Sequence, residues 1–145
     1  IRHCEMSGFN STGIDLGWPH GYDSHAEWRD PTLLTDIVVF DNRISDLGNW
    51  TQTGSSADYA GVFPHLNLLR AWIVDNTICH IDGDGIQINT WGIYDDPAIH
   101  KPPTHIYIGR NTIYECQENL LDFKICQDVI VSQNNLYGSH NHSTS

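Results

Sequence analysis

The chain has 145 residues, the size of one domain. Its 18 Asp and Glu against 7 Lys and Arg give a formal charge of -11, which excludes the basic footprint that nucleic-acid backbones require. Hydrophobic residues make up 39%, with 5 Trp, 6 Tyr and 4 Phe, too apolar for an acidic disordered tail, yet no apolar run approaches the roughly 20 residues of a membrane span.

The chain begins at Ile1, inside a strand pattern, and reads as a mature product or a piece of a longer one. Its opening, IRHCEMS, is a partial copy of a motif that returns as IVVFDNRIS from Ile37, AWIVDNTIC from Ala71, IYIGRNTIY from Ile106 and VIVSQNNLY from Val129. Anchored on Asn42, Asn76, Asn111 and Asn134, with Cys4 in the corresponding place of the first copy, the spacings are 34, 35 and 23 residues. Apolar residues recur three before the anchor (Val39, Ile73, Ile108, Val131) and two after it (Ile44, Ile78, Ile113, Leu136). That alternation has period 2, so each copy is predicted as a strand rather than a helix.

A second strand is predicted in four copies: GIDL from Gly13, GVF from Gly61, GIQI from Gly85 and LLDF from Leu120. Its inward residues would be Ile14, Leu16, Val62, Ile86, Ile88, Leu121 and Phe123. Between the copies lie three inserts, Gly17 to Leu34, Gly48 to Asp58 and Asn89 to Thr104, each mixing turn formers with Trp, Tyr or His. Loops of this length in a compact domain are usually functional. A constant core with inserts let out at corners implies coils stacked in a solenoid. The predicted fold is therefore all-β: a right-handed parallel β-helix of about five coils over residues 1–138, with a polar tail over 139–145.

The DNRI, VDNTI and GRNTI strands, the GDGIQI strand and the stretch from Leu121 to Gly138 carry a resemblance to the right-handed parallel β-helix superfamily of pectate-lyase-like and polygalacturonase-like proteins. The resemblance spans nearly the whole chain. It implies that Asn42, Asn76, Asn111 and Asn134 stack into a ladder of amide hydrogen bonds at one turn of every coil. Stacked amides satisfy each other where water cannot reach, so the physics agrees. Fold alone does not select an activity.

Stacking would bring equivalent outward residues of the second strand to about 4.8 Å from each other. His65, Asn89 and Lys124 would form one column, with Asp15, Gln87 and Asp122 in the next. Such a polar face, bordered by Trp50 and Trp91 in the inserts, suits a sugar chain; it equally describes a solvated face with an Asp122–Lys124 surface pair. Upstream, Asp82-Gly-Asp84-Gly is expected either to shape a turn, to bind Ca²⁺, or to act with Asp122 as acid and base in glycoside cleavage. Elimination from a uronic acid would instead need a cation to neutralise the carboxylate and a base near the C5 proton. Glu118-Asn-Leu-Leu-Asp-Phe-Lys124 resembles the acidic-then-Lys strand of alginate- and chondroitin-type lyases, which implies Lys124 as base beside calcium-binding carboxylates. The next coil has no Arg to match that family's second cation.

Among the nine His, His20 and His25 stand with Asp23 and Glu27 at loose metal-ligand spacing in the first insert, while His80 and His105 suggest no partner. Cys4, Cys79, Cys116 and Cys126 show no metal-type spacing. Two expectations follow for the whole protein. One is a carbohydrate-active β-helix, hydrolase or lyase, that binds or cleaves an extracellular or periplasmic polysaccharide, with Ca²⁺ as the candidate cofactor. The other is a non-catalytic module that stacks end to end, trimerises as a spike, or continues into flanking coils.

Overall fold

A computed structural model of the chain describes residues 1–17, 33–50, 58–89 and 101–139. Thirteen strands run β1 (Glu5–Ser7), β2 (Ile14–Leu16), β3 (Leu34–Phe40), β4 (Arg43–Leu47), β5 (Tyr59–Pro64), β6 (Leu68–Val74), β7 (Thr77–Ile81), β8 (Gly83–Ile88), β9 (Thr104–Gly109), β10 (Thr112–Cys116), β11 (Leu121–Phe123), β12 (Gln127–Ser132) and β13 (Asn135–Tyr137). They form three parallel sheets: A, in the order β12-β9-β6-β3; B, β1-β4-β7-β10-β13; and C, β11-β8-β5-β2. Each full coil visits A, B and C once, and the next coil stacks in register upon it, giving a parallel β-helix solenoid.

The coil has three strands where the sequence pattern suggested two. The stretch read as one strand bends at the residue before each anchor Asn, where Asp41, Asp75, Arg110 and Gln133 have φ between 53° and 58°. That left-handed conformation turns the chain from sheet A into sheet B without changing the inward periodicity on either side. It costs a residue with a β-carbon roughly 1–2 kcal/mol, least for Asp and Asn, whose short side chains bond locally.

Inside the corner, the four Asn form the expected ladder. Asn42 Nδ2 donates to Asn76 Oδ1 at 2.9 Å, Asn76 Nδ2 to Asn111 Oδ1 at 3.0 Å, and Asn111 Nδ2 to Asn134 Oδ1 at 2.9 Å. Each Oδ1 also accepts the backbone N–H of the preceding ladder residue, including Cys4 at 3.1 Å from Asn42. Below the ladder lies the core, built by Val39, Ile73 and Ile108 from sheet A, Ile44, Ile78 and Ile113 from B, and Val62, Ile86 and Ile88 from C. All of these are buried except for a trace at most. In the last coil the equivalent Val131 and Leu136 are exposed.

Glycine stands within two of the sheet C strands, β5 and β8, for a steric reason. A β-carbon on Gly61 would collide with Ile78 and the Gly85 carbonyl, and one on Gly85 with Ile113 and the Leu120 carbonyl. Two consecutive residues, Gly85 and Ile86, thus face inward. Asp84 and Gln87, on either side of this pair, meet each other, with Gln87 Nε2 2.8 Å from Asp84 Oδ2.

Candidate functional site

On sheet C the register pairs Asp15 with Phe63, Ile86 with Leu121 and Gln87 with Asp122. Val62 pairs with Ile86, which places Phe63 beside Gln87. The column Asp15, Phe63, Gln87, Asp122 therefore exists. The Lys124 N–H bonds the Ile88 carbonyl, the Asn89 N–H the Pro64 carbonyl and the His65 N–H the Leu16 carbonyl, which aligns His65, Asn89 and Lys124 in the next column. Asp15 and Lys124, at the two ends of the face, are exposed, but its middle is not the open, solvated surface expected. Phe63, His65, Gln87 and Asn89 are all buried, and the Phe63 and His65 rings meet edge to face at 5.1 Å. The first and third inserts leave this face at Gly17 and Asn89, and the second leaves after the sheet B strand β4.

Beside the columns stands a carboxylate cluster. One oxygen each from Asp58, Asp84 and Glu118 lie within 4.8 Å of one another. They come from three consecutive coils: Asp58 and Glu118 lie just ahead of β5 and β11, and Asp84 lies at the start of β8. Asp84 is buried, Asp58 and Glu118 half-buried. Asp84 Oδ1 accepts the backbone N–H of Asn119 at 2.9 Å and its Nδ2 at 2.8 Å, and Oδ2 accepts Gln87 Nε2 at 2.8 Å. Burial pushes the Asp84 pKa up to about 6 against the lowering effect of Asn119, and the charges of Asp122 and Glu118 push the same way.

Gln87 is the unusual member. Its Nε2 lies 2.8 Å from Asp84, 3.4 Å from Asp58 and 3.4 Å from Asp122, one amide nitrogen facing three carboxylates. Its Oε1 is buried and has no hydrogen-bond partner among the described residues. Amide orientation follows from such surroundings. With the carboxylates unneutralised, the donor end must face them; a cation there would reverse the preference and bring Oε1 in as a ligand. These donors, three carboxylates and an amide oxygen, are the hard oxygen set of Ca²⁺.

Lys124 Nζ bonds Asp122 Oδ2 at 2.8 Å. Partial burial works to lower the Lys124 pKa, but the bond to Asp122 and the charges of Asp122, Asp58 and Asp84 prevail and hold it above the ordinary lysine value. Its side chain is half exposed.

Other candidates stand apart. Asp82 turns toward the preceding coil, where Oδ2 accepts the Asn49 N–H at 2.9 Å, and it does not join the cluster. The physical reason is Gly83 (φ 133°), which lies against the Tyr59 backbone and sends the two aspartates different ways. Trp50 stacks on His80, with ring centroids 4.1 Å apart and planes 12° apart, at the corner that follows sheet B. There His80 bonds Asp46 through Nδ1 at 2.9 Å and Glu115 through Nε2 at 2.7 Å, joining three coils. Trp91 and the group His20, Asp23, His25, Glu27 lie outside the described residues. Asp58, Glu118 and Asn119 complete the cluster. Their signal was available: SADYAG, HIDGDG and QENLL each carry acid just before the second strand.

No protein-family model matches the chain, and no curated protein or solved structure shows significant similarity to it.

Proposed function

We propose that the chain is a carbohydrate-active member of the pectate-lyase-like β-helices, which holds an acidic polysaccharide on the rim of sheet C through a bound Ca²⁺ and Lys124. Asp58, Asp84, Glu118 and Gln87 would hold the ion. When bound, Ca²⁺ supplies the positive charge that neutralises a uronate carboxylate. Lys124 is the second positive group. The observation that carries the reading is Gln87, whose buried, unpartnered Oε1 stands on an amide already inside the carboxylate cluster.

Hydrolysis fits the geometry less well. Asp84 and Asp122 each have an oxygen within reach of the same Gln87 nitrogen, closer together than the roughly 6.5–9.5 Å of an inverting pair. Asp84 Oδ1 is also taken up by two bonds from Asn119, which leaves only Oδ2, inside the cluster and facing Gln87. For elimination, the raised Lys124 pKa keeps the ammonium charged, so a Lys124 base would work in alkaline solution only.

The test is calorimetric titration of polygalacturonate, alginate and chondroitin sulfate, with Ca²⁺ and with EDTA, alongside ultraviolet detection of unsaturated products. Expected is binding of at least one polymer with Ca²⁺ that EDTA abolishes and Lys124→Ala weakens. Absence of binding under both conditions, or binding indifferent to EDTA, overturns the proposal.

A further inference from the structure

Sheet A carries a different surface, remote in chemistry from the carboxylate cluster. Register places Val38 beside Trp72, Trp72 beside Tyr107 and Tyr107 beside Ile130, so four outward side chains form one stripe along the solenoid at about 4.8 Å per step. Val38, Trp72 and Ile130 are 45%, 38% and 62% exposed. Tyr107 does not stand out from the sheet. Its ring lies over Gly109, occupying the place where a β-carbon would be. Glycine at that position lets the ring lie down.

Along one side of the stripe runs a polar column. Asp36, Arg70, His105 and Asp128 all take left-handed backbone conformations, with φ from 50° to 61°. Arg70 gives Nε and Nη2 to the two oxygens of Asp36, each at 2.7 Å. His105 Nδ1 lies 3.2 Å from Asp128. Arg70, so paired, lines the edge of the groove. Trp72, Tyr107 and Ile130 form the floor of an open groove of about 580 Å³, with Arg70, His105 and Asp128 as its wall. Open along its length, with an aromatic floor and a few polar groups at one side, the groove can seat a narrow ligand lengthwise.

The width and the charge select the occupant. A stable protein interface takes roughly 20–30 residues a side, and this stripe is one side chain wide beside a charged column. A polyanion meets no unpaired cation here, since Arg70 is already neutralised by Asp36 and Asp128 adds negative charge. An anionic lipid surface is disfavoured by the chain's charge of -11. What remains is a narrow, neutral ligand with an apolar face for the rings and hydroxyl groups for paired guanidinium, imidazole and carboxylate.

We propose that this groove is a second carbohydrate subsite, which stacks a neutral oligosaccharide on Trp72 and Tyr107 and hydrogen-bonds its hydroxyls through Arg70, His105 and Asp128. It stands independently of the cation site on sheet C. The probes are the hexaoses of β-1,4-glucose, β-1,4-xylose, β-1,4-mannose and β-1,3-glucose, titrated in EDTA by calorimetry and by amide and indole NMR. Expected is binding of at least one hexaose that shifts the Trp72 indole N–H, with affinity falling roughly tenfold or more in Trp72→Ala and in Tyr107→Ala at unchanged circular dichroism. Gly109→Ala, which lifts the Tyr107 ring, should weaken it as well. Absence of binding by all four hexaoses, or binding that survives Trp72→Ala, overturns the proposal. Self-association that Trp72→Ala abolishes would also overturn it, assigning the stripe to a contact between copies. Failure of Ca²⁺ binding leaves this result untouched.

Discussion

Asp84 is a buried carboxylate whose two oxygens take three hydrogen bonds, yet its pKa still rises from 3.8 to about 6 because desolvation outweighs them. The sign follows from linkage. A carboxyl that holds its proton more tightly when folded stabilises the fold below pH 3.8 and loses that contribution as the pH passes about 6. Above that range the charged form costs on the order of 3 kcal/mol. Asp84→Asn removes the charge, and its Oδ1 can keep the two bonds from Asn119. In EDTA the variant should therefore be more stable than the wild type at pH 7, by about 2–3 kcal/mol, with the difference vanishing near pH 4. Urea unfolding at both pH values measures this. With Ca²⁺ the order should reverse, because the ion stabilises only the chain that binds it. Wild-type Ca²⁺ affinity should accordingly fall as the pH drops through about 6.

At the scale of the element, the corner between sheets A and B shows why some features were legible in the sequence and others were not. Asn42, Asn76 and Asn111 stood out because each rung needs the same side chain: Nδ2 donates forward, and the Oδ1 of Asn76 and of Asn111 accepts both a side-chain and a backbone N–H. Removing the Asn76 side chain takes the acceptor from the Asn42 N–H and Nδ2 and the donor from the Val39 carbonyl, and leaves Asn111 Oδ1 with the backbone N–H of residue 76 alone, all within a dry corner. We expect Asn76→Ala to cost about 2–4 kcal/mol in urea unfolding, and Asn134→Ala, at the half-buried end of the ladder, clearly less. The bend just before the ladder was hidden, because Asp, Arg and Gln all occupy it and inward periodicity continues through it. The sheet C columns could be read from alternation, since period 2 and a constant rise determine them. The burial of Gln87 and Asn89 could not, and neither could the cluster. Asp58, Asp84 and Glu118 come together only because three coils stack, over a sequence span of 60 residues. His80 likewise gained Asp46 and Glu115 from the coils on either side.

For the whole molecule, a charge of -11 sets how an acidic polymer can approach. A protein that binds a polyanion through basic residues loses affinity as salt rises, because it releases condensed counterions. On the proposed reading the long-range field is repulsive, and attraction would begin only within contact distance of a bound Ca²⁺ and Lys124. Screening then acts on the repulsion first. The Debye length shrinks from about 30 Å at 0.01 M to about 8 Å at 0.15 M, so added salt removes the barrier far from the site while leaving a half-buried ion and its carboxylates much less affected. At saturating Ca²⁺, the association rate with polyuronate should therefore rise as NaCl goes from about 0.01 M to about 0.15 M, while the dissociation rate changes little. Surface plasmon resonance on immobilised polymer separates the two rates. An association rate that falls with salt would mean that exposed cations make the contact. Neutral hexaoses on sheet A should show no salt dependence in the same range, because their recognition involves no net charge. The two faces of one solenoid would then be distinguished by ionic strength alone.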